Sequence, residues 1–446
     1  MPVKSKFVKL LNNNIYIQLF ISLVIAVMFG VFIYLTALGL NVYWPVPASL
    51  IYAALFLLAM VMLITRRHFD ALMLLAAAMC LCCAMYARVT MLDFQSSDYY
   101  YCILRWAKDL GALPLKEALS TPIGDYNLPY LYYLTFLSRT GWDELLHVKS
   151  LSCLFDVILA YIVMRIVALD VKDRRLELAS FLIVLISPTI MINSAQWAQC
   201  DSIYVAFCLL SIYGALKGKG RMCAIAWTVA FTFKIQSVFL LPALAVALFM
   251  GKVKPKHLLW IPIVYIISFL PALICGRSLL SCINIYSGQM GEYPKLWYNA
   301  PTVWRFFGLN RPAEYNVTAI FVALGAIIIF TVLCLTLSSK MTSRHLLKLF
   351  FISSLIVPFL LPRMHERYFY MAEVLALVYF MYDRRKWYCP VAITLYTLSS
   401  YVNSLLDDGV FNGLYFAVIY LVIIALETRE LFKELWSVTP DSILVE

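Results

Sequence analysis

The sequence predicts an all-α polytopic membrane protein, and three observations lead to that prediction. Of its 446 residues, 63% are hydrophobic and only 14% are charged, with a mean hydropathy of +0.83. Soluble globular proteins carry roughly 45–50% apolar and about 25% charged residues. The apolar residues form runs of about 15–23 residues separated by short polar segments, which is the length that a helix needs to cross hydrocarbon.

We expect about 13–15 transmembrane helices and no soluble domain, so residues 1–446 are predicted to form a single domain. The predicted spans lie at roughly 16–38, 47–65, 71–90, 147–168, 177–193, 201–216, 222–233, 237–250, 258–275, 318–337, 346–361, 368–382, 388–402 and 411–427. Segment 128–138 is apolar but short, and is predicted to be re-entrant or interfacial. Lys234 and Gln236 interrupt the 222–250 region, which therefore predicts two short helices.

Basic residues in short loops set the predicted orientation. Lys4, Lys6 and Lys9 place the amino terminus in the cytoplasm under the positive-inside rule, and the first apolar run is too long for a signal peptide. Further basic loops then fall on the same side, at 66–67, 172–175, 217–221, 252–256, 340–348 and 384–386. These loops explain the net charge of +11, so nucleic-acid binding is not predicted.

One polar stretch, NSAQWAQCDSIY from Asn193 to Tyr204, lies between two apolar runs. It contains hydrogen-bonding side chains and no lysine or arginine; they are Asn193, Gln196, Trp197, Gln199 and Asp201. A loop that only joins two spans needs none of these groups. The stretch therefore predicts an aqueous pocket at the membrane surface that handles a polyhydroxyl substrate.

Two long loops, 91–127 and 277–316, are predicted on the outer face, and loops of this length usually carry function or are disordered. Asp93 and Asp98 follow a span in the first loop, which also holds Asp109 and Asp125, and a carboxylate there suits a general base for a hydroxyl acceptor. The alternative for Asp98 is a helix cap. The aromatic residues of the second loop either stack on sugar rings or form an interfacial belt; they are Tyr286, Tyr293, Trp297, Tyr298 and Trp304.

Ionisable residues inside apolar runs form another group of candidates. Lys149 and Asp156 share one face of a span, and such groups are either functional or paired with a neighbouring helix. Lys234 either binds a phosphate or extends from a helix end toward water.

The stretch FLLPRMHERYFY holds the densest cationic cluster outside the cytoplasmic loops. Arg363, His365 and Arg367 lie at the predicted outer end of a span, and arginine suits bidentate phosphate contact. The alternative is a structural pair between Glu366 and an arginine. No GxxxxGK[ST], GxGxxG, HExxH, GxSxG or DxD-type motif occurs, and an outward-facing site would not meet cytoplasmic nucleotide sugars. The predicted donor is therefore carried on a lipid.

Taken in order, seven stretches resemble bacterial relatives of the GPI-anchor second mannosyltransferase, in the GT-C superfamily of integral membrane glycosyltransferases. They are SSDYYYCILRWAKDLGAL, GDYNLPYLYYL, KSLSCLFDVILAY, NSAQWAQCDSIYVAF, FTFKIQSVFLLP, YNAPTVWRFFG and FLLPRMHERYFY. The resemblance covers the chain from about residue 88 to 400. The first two spans lie outside it, which suggests an additional N-terminal helix pair within 1–70.

The resemblance implies a GT-C-type fold and an inverting transfer of a hexose, mannose by default, from a polyprenyl-phosphate donor to a glycan or glycolipid. The catalytic aspartate of the family matches Asp98, with Asp93 as the second candidate. The residues assigned to donor phosphate binding are Arg363, His365, Arg367, Lys234 and Gln236. Those assigned to substrate binding are Trp197, Gln199, Asp201, Asp125, Trp106 and Asn299, while Lys149, Asp156 and Glu366 are assigned to structural charge pairs. Ala198 stands where the family usually has glycine.

No cofactor is required in this interpretation and no metal ligands are assigned, although an acidic loop is also able to hold Mg²⁺ or Mn²⁺. The expected location is the bacterial cytoplasmic membrane, with the lipid bilayer as a partner and the active site facing outward. The rival interpretation is a transporter or flippase of a lipid-linked sugar. Transporters tend to contain internal repeats, which this chain lacks, and do not need a long acid-bearing loop.

Overall fold

The computed structural model describes residues 12, 14–39, 44–292, 295–308, 315–406 and 412–437, which are mostly helical. The α-helices are α1 (Ile15–Gly39), α2 (Pro45–Ile64), α3 (Ala71–Val89), α4 (Leu104–Ala112), α5 (Leu115–Ser120), α6 (Leu128–Leu137), α7 (Glu144–Val167), α8 (Arg174–Ile186), α9 (Pro188–Met191), α10 (Asp201–Leu216), α11 (Gly220–Phe233), α12 (Leu241–Phe249), α13 (Trp260–Ile274), α14 (Leu279–Ile283), α15 (Ile285–Glu292), α16 (Asn316–Thr336), α17 (Ser343–Leu360), α18 (Tyr370–Tyr382), α19 (Tyr388–Leu406) and α20 (Gly413–Ser437). Lys4, Lys6, Lys9 and Tyr293, named above, lie outside the described residues.

Seven helices in the described ranges are long and apolar enough to cross a membrane, and an eighth is added if the bent pair Arg174–Ile186 and Pro188–Gln196 is one span. The chain is therefore an α-helical protein suited to a lipid bilayer. Fewer helices reach full length than the 13–15 expected, because several apolar runs form short helices. α11 has 14 residues and α18 has 13, so each covers only about 20 Å of a hydrocarbon core about 30 Å thick.

Two segments that the sequence marks as unlike full spans form short helices. The 222–250 region is broken: α11 ends at Phe233, Lys234 is extended, and a 3₁₀ turn over Ile235–Leu240 leads into α12. Segment 128–138 forms α6, whose 10 residues cover about 15 Å, half of the hydrocarbon thickness. A helix of this length cannot cross the membrane alone.

The chain divides into two compact units. The first unit comprises Met1–Ala112 and Leu134–Ala206, and the second comprises Leu113–Tyr133 and Phe207–Glu446. Each unit has its own buried polar network, and each network fixes helices that end near candidate site residues.

In the first unit, a fully buried ion pair joins α3 to α7. Arg88 donates from Nε and Nη2 to Asp156 Oδ2, at 3.2 and 2.9 Å. Its Nη1 donates to the carbonyl of Leu185 in α8 at 2.8 Å, and Ser194 donates to the same Asp156 oxygen at 2.6 Å. The pair therefore fixes three helices and the chain that follows α8.

In the second unit, the buried carboxylate of Glu427 in α20 holds the end of α18. It accepts hydrogen bonds from Tyr379 at 2.8 Å, from Lys386 at 3.1 Å and from Tyr388. The opposite end of α18 follows the segment that carries Arg363 and Arg367. Glu427 thus anchors the helix from which this cationic segment extends.

We predict that Asp156→Ala destabilises the protein by about 3–5 kcal/mol, because the Arg88 charge stays buried without its carboxylate. Combining it with Arg88→Met should recover most of that loss, because no buried charge then remains. Thermal unfolding in lipid nanodiscs measures both variants. Equal destabilisation by the single and the double change would contradict the prediction.

Candidate functional site

The first unit holds Asp98 between two hydrogen-bond donors. Trp197 Nε1 lies 3.1 Å and Gln199 Nε2 lies 2.8 Å from Asp98 Oδ2. Both donors are neutral, and both come from the polar stretch that the sequence singles out. The carboxylate is half-buried, so it keeps access to its surroundings while its direction is fixed.

Asp98 does not cap a helix, which was the alternative role that its sequence position suggested. Asp98 precedes a π-helical turn over Tyr99–Ile103, and its side chain makes no capping hydrogen bond there. Ser96 caps the turn instead, since its Oγ accepts from the amide of Tyr99 at 3.2 Å. The same hydroxyl donates to the carbonyl of Trp197 at 2.8 Å, which ties the Asp98 segment to the Trp197 segment.

A second π-helical turn, Ile192–Gln196, leads into the stretch that holds Trp197 and Gln199. The amide of Gln199 donates to the carbonyl of Asn193 at 2.9 Å, and Asn193 Nδ2 donates to Asp201 Oδ2 at 2.9 Å. Asp201 is only 2% exposed, and its hydrogen bond with Asn193 stabilises the turn. Ala198, at the centre of the turn, has φ of +61°, a left-handed conformation that favours glycine.

The remaining candidates of the first unit occupy different environments. Asp93 is exposed, and partial loss of hydration raises its pKa above the ordinary value. The charge of Lys149 opposes this rise in pKa, whereas the charge of Asp143 adds to it. Trp106 is half-buried in α4.

Among the buried ionisable residues, Lys149 contacts main-chain carbonyls, whereas Asp156 pairs with Arg88. The sequence analysis missed Arg88, although an arginine in an apolar run is the same signal that marked Asp156.

The second unit contains a cavity of about 390 Å³ with a cationic part and an apolar part. Its charged side chains are three cations, Lys234, Arg363 and Arg367, and one carboxylate, Asp125. The other lining residues are Tyr126, Phe233, Ile235, Gln236, Val238, Phe239, Tyr286, Ile320, Leu324, Leu361, Pro362, Met364 and Tyr368. Five stretches that are far apart in sequence thus supply one amphipathic cavity.

Lys234 reaches this cavity because the helix breaks at its position. Its backbone is extended, with φ of −145° and ψ of 136°, and its ammonium group lies 5.3 Å from the ring centre of Tyr126. A cation over an aromatic face is stabilised by the ring quadrupole. Lys234 is 6% exposed, so it does not extend into water as the alternative interpretation expects.

A short parallel strand pair orients the Arg363–Arg367 segment. β1 (Trp297–Tyr298) pairs with β2 (Met364–His365), and the amide of Arg363 donates to the carbonyl of Leu296 at 2.7 Å. Arg363 has φ of +64°, a left-handed conformation that is uncommon outside glycine. The second long loop, from which β1 comes, therefore fixes the backbone next to the cavity.

His365 differs from its expected role as a cation. Its ring stacks on Tyr298 with 4.5 Å between centres, and it is not among the residues that line the cavity. Burial, and then the charges of Arg367 and Lys234, lower the pKa of His365 to about 3. The side chain is therefore neutral near pH 7, and the positive charge predicted from the sequence is absent.

Two other candidates of the second unit, Asn299 and Glu366, interact with neighbouring side chains of the protein. Asn299, expected to bind substrate, donates from Nδ2 to Ser404 at 3.3 Å and does not line the cavity. Glu366 lies 3.8 Å from Arg367 Nε, the structural pair that the sequence analysis left open. Tyr126 was missed as a cavity residue, although it directly follows Asp125 in a quoted motif.

The described ranges contain no group of three His, Cys, Asp or Glu side chains placed to hold a metal ion. A scan against protein-family models finds no match to the chain, and a search of curated proteins finds none either. The site is therefore interpreted from its own geometry.

We predict that glycine costs less stability at Ala198 than at Ala195, although both alanines are fully buried. Ala195 lies in the π-helical turn, where glycine should cost about 0.5–1 kcal/mol. Ala198→Gly should cost less, because glycine adopts positive φ without strain. Thermal unfolding of the two variants in nanodiscs makes the comparison. An equal loss at both positions would show that the turn at Ala198 is not strained.

Proposed function

We propose that this protein is a membrane glycosyltransferase that uses a polyprenyl-phosphate sugar as donor. The observation that carries the proposal is the cavity of the second unit, where Lys234, Arg363 and Arg367 meet an apolar wall. Three cations against one carboxylate favour an anion, and arginine is suited to phosphate oxygens. The ligand proposed for this cavity is therefore a phosphate.

The apolar part of the cavity supports a lipid carrier for that phosphate. Ile320 and Leu324 belong to α16, one of the seven helices suited to crossing a membrane. A water-soluble nucleotide sugar would gain little from such a wall, whereas a prenyl chain is stabilised by it. A lipid-linked phosphate satisfies both parts of the cavity.

Asp98 is proposed as the general base. Trp197 and Gln199 hold its Oδ2, so the carboxylate is oriented by neutral donors and keeps its negative charge available to accept a proton. In the proposed reaction, an acceptor hydroxyl loses its proton to Asp98 and its oxygen bonds to the anomeric carbon. The bond from that carbon to the phosphate oxygen breaks, and polyprenyl phosphate leaves with the electron pair.

The charge that develops on the leaving phosphate is offset by Lys234, Arg363 and Arg367. His365 is neutral, so its proposed part is to place Tyr298 and the adjacent backbone. The transferred sugar is a hexose, with mannose as the default, and the acceptor is a glycan or a glycolipid. An active site facing outward from the bacterial cytoplasmic membrane belongs to the same proposal.

We predict that Asp98→Asn lowers the rate of sugar transfer by about 10²–10⁴-fold, the usual contribution of a general base. The assay supplies labelled polyprenyl-phosphate sugars and a glycan extract to protein in nanodiscs, with and without added Mg²⁺. Asp109→Asn is the matched control, because Asp109 is an exposed carboxylate of the same loop and pairs with Arg105 at 3.8 Å. It should transfer sugar at the wild-type rate.

Transfer that survives in Asp98→Asn would exclude Asp98 as the base and direct the test to Asp93. Movement of the labelled lipid to the opposite leaflet without any transfer would instead support a transporter.

We predict that Arg367→Gln weakens binding of a polyprenyl phosphosugar by about 10- to 100-fold, because a charged hydrogen bond is lost. His365→Gln should change the affinity by less than about threefold, because the imidazole that it replaces is uncharged.

With a pKa near 3, His365 binds no proton between pH 5 and 8, so wild-type affinity for this phosphodiester should show no histidine titration there. Calorimetry in nanodiscs measures these affinities. A rise in affinity below pH 6.5 that His365→Gln abolishes would show that the histidine binds as a cation.

A further inference from the structure

We infer that Lys149 is a positioning residue, whose buried ammonium group holds the main chain that carries Asp93 and Asp98 in place. The inference rests on the proposed function, because it assumes that the carboxylate of Asp98 has to be directed at a substrate. Lys149 was not proposed to contact a substrate. Its role here gives a structural cause for the direction of the Asp98 carboxylate.

The ammonium group of Lys149 donates hydrogen bonds to main-chain oxygens of one short segment. Its Nζ donates to the carbonyls of Met91 and Leu92, each at 2.8 Å, and of Phe94 at 2.7 Å. An ammonium group has three N–H donors, so these three bonds use its full capacity. The three carbonyls therefore all point toward the same atom, Lys149 Nζ.

Burial makes this arrangement costly unless it is fully satisfied. Lys149 is 0% exposed within α7, and an uncompensated ammonium group in such a place costs several kcal/mol. The ammonium group donates its hydrogen bonds to carbonyls and not to a carboxylate. Three backbone carbonyls therefore stabilise the buried ammonium group, and the conformation of that backbone is fixed in return.

A separate contact links α3 to α7. Arg88 of α3 pairs with Asp156 of α7, seven residues after Lys149, which is about 10 Å along the helix. Lys149 instead binds the chain beyond the end of α3, where the backbone is irregular. Its bonds therefore act on the segment and not on the helix pair.

The segment from Met91 to Asp98 is consequently held at both ends. Lys149 binds the carbonyls at its start, while near its end Ser96 bonds to the carbonyl of Trp197. Asp98 follows two residues later and meets Trp197 Nε1 and Gln199. Without Lys149, the start of the segment keeps its turn hydrogen bonds to α3, such as that from the Leu92 amide to the carbonyl of Val89 at 3.2 Å, but loses its link to α7. We therefore expect the direction of Asp98 relative to a bound acceptor to be less well fixed.

The test compares Lys149→Met with Lys348→Met. Lys348 is also a buried lysine, 4% exposed, but it lies in the second unit next to Glu430 and Glu434, at 3.4 and 3.5 Å. Hydrogen–deuterium exchange in nanodiscs, without substrate, reports on peptides covering residues 90–98. We expect exchange there to be at least about tenfold faster in Lys149→Met and unchanged in Lys348→Met.

The second readout is the kinetics of sugar transfer. Misplacement of a reacting group by about 1 Å lowers the rate about 100-fold. We expect kcat, calculated per folded molecule, to fall by about that factor in Lys149→Met while KM for the donor stays within about twofold. Counting only folded molecules removes the loss of rate that a smaller folded fraction would cause. If Lys149→Met does not fold, Lys149→Arg replaces it; arginine keeps the charge, and we expect intermediate exchange and an intermediate kcat.

Wild-type exchange in residues 90–98 of the variant would overturn the inference, whatever happens to transfer. Faster exchange with undiminished kcat would also overturn it, because the position of the segment would then not matter to the reaction. Failure of the wild-type protein to transfer any sugar would refute the proposed function separately, since exchange is measured without substrate and still decides whether Lys149 holds the segment.

Discussion

The ion pair between Arg88 and Asp156 is the contact on which the first unit depends. Both side chains are fully buried, and Ser194 and the carbonyl of Leu185 add hydrogen bonds to the pair. A charge in this environment is tolerated only in a geometry that satisfies it, so α3, α7 and α8 have little freedom to rotate about their axes. The segments that carry Asp98 and Gln199 begin at the ends of these helices. Their separation is therefore set by a contact deeper in the unit.

Irregular backbone occurs at the positions where the candidate chemistry lies. Asp98 precedes one π-helical turn, the Trp197 stretch follows another, and Lys234 interrupts a helix. π-helical turns are often found at functional sites, and a left-handed residue such as Arg363 costs of order 1–3 kcal/mol. A regular helix would direct neighbouring polar side chains to different faces. Within each unit, the interruptions allow polar side chains of that unit to converge, at a cost that the surrounding packing has to offset.

The sequence predicts the helices well because apolar runs with polar ends define them almost completely. The break at Lys234 follows from the same signal, since an ionisable side chain is disfavoured in the middle of a span. The partners of buried charges are harder to predict: Asp156 is paired with Arg88, 68 residues away, and no periodicity connects them. The charge of His365 was predicted wrongly for a related reason, because burial and nearby cations decide it. In the described ranges seven helices are long and apolar enough to cross a membrane, against the 13–15 transmembrane helices expected, because composition reveals apolar runs but not where each helix ends.

The cavity of the second unit has a consequence for biosynthesis. Its lining begins at Asp125, continues through Lys234 and the α16 residues, and is complete only with Tyr368. A nascent chain that has left the ribosome only as far as α16 contains one of the three cations. The strand pair that orients Arg363 likewise joins residues 297–298 to residues 364–365. Synthesis therefore delivers the anion site late, so an unfinished chain in the translocon cannot hold a lipid phosphate in the way the finished protein is proposed to do.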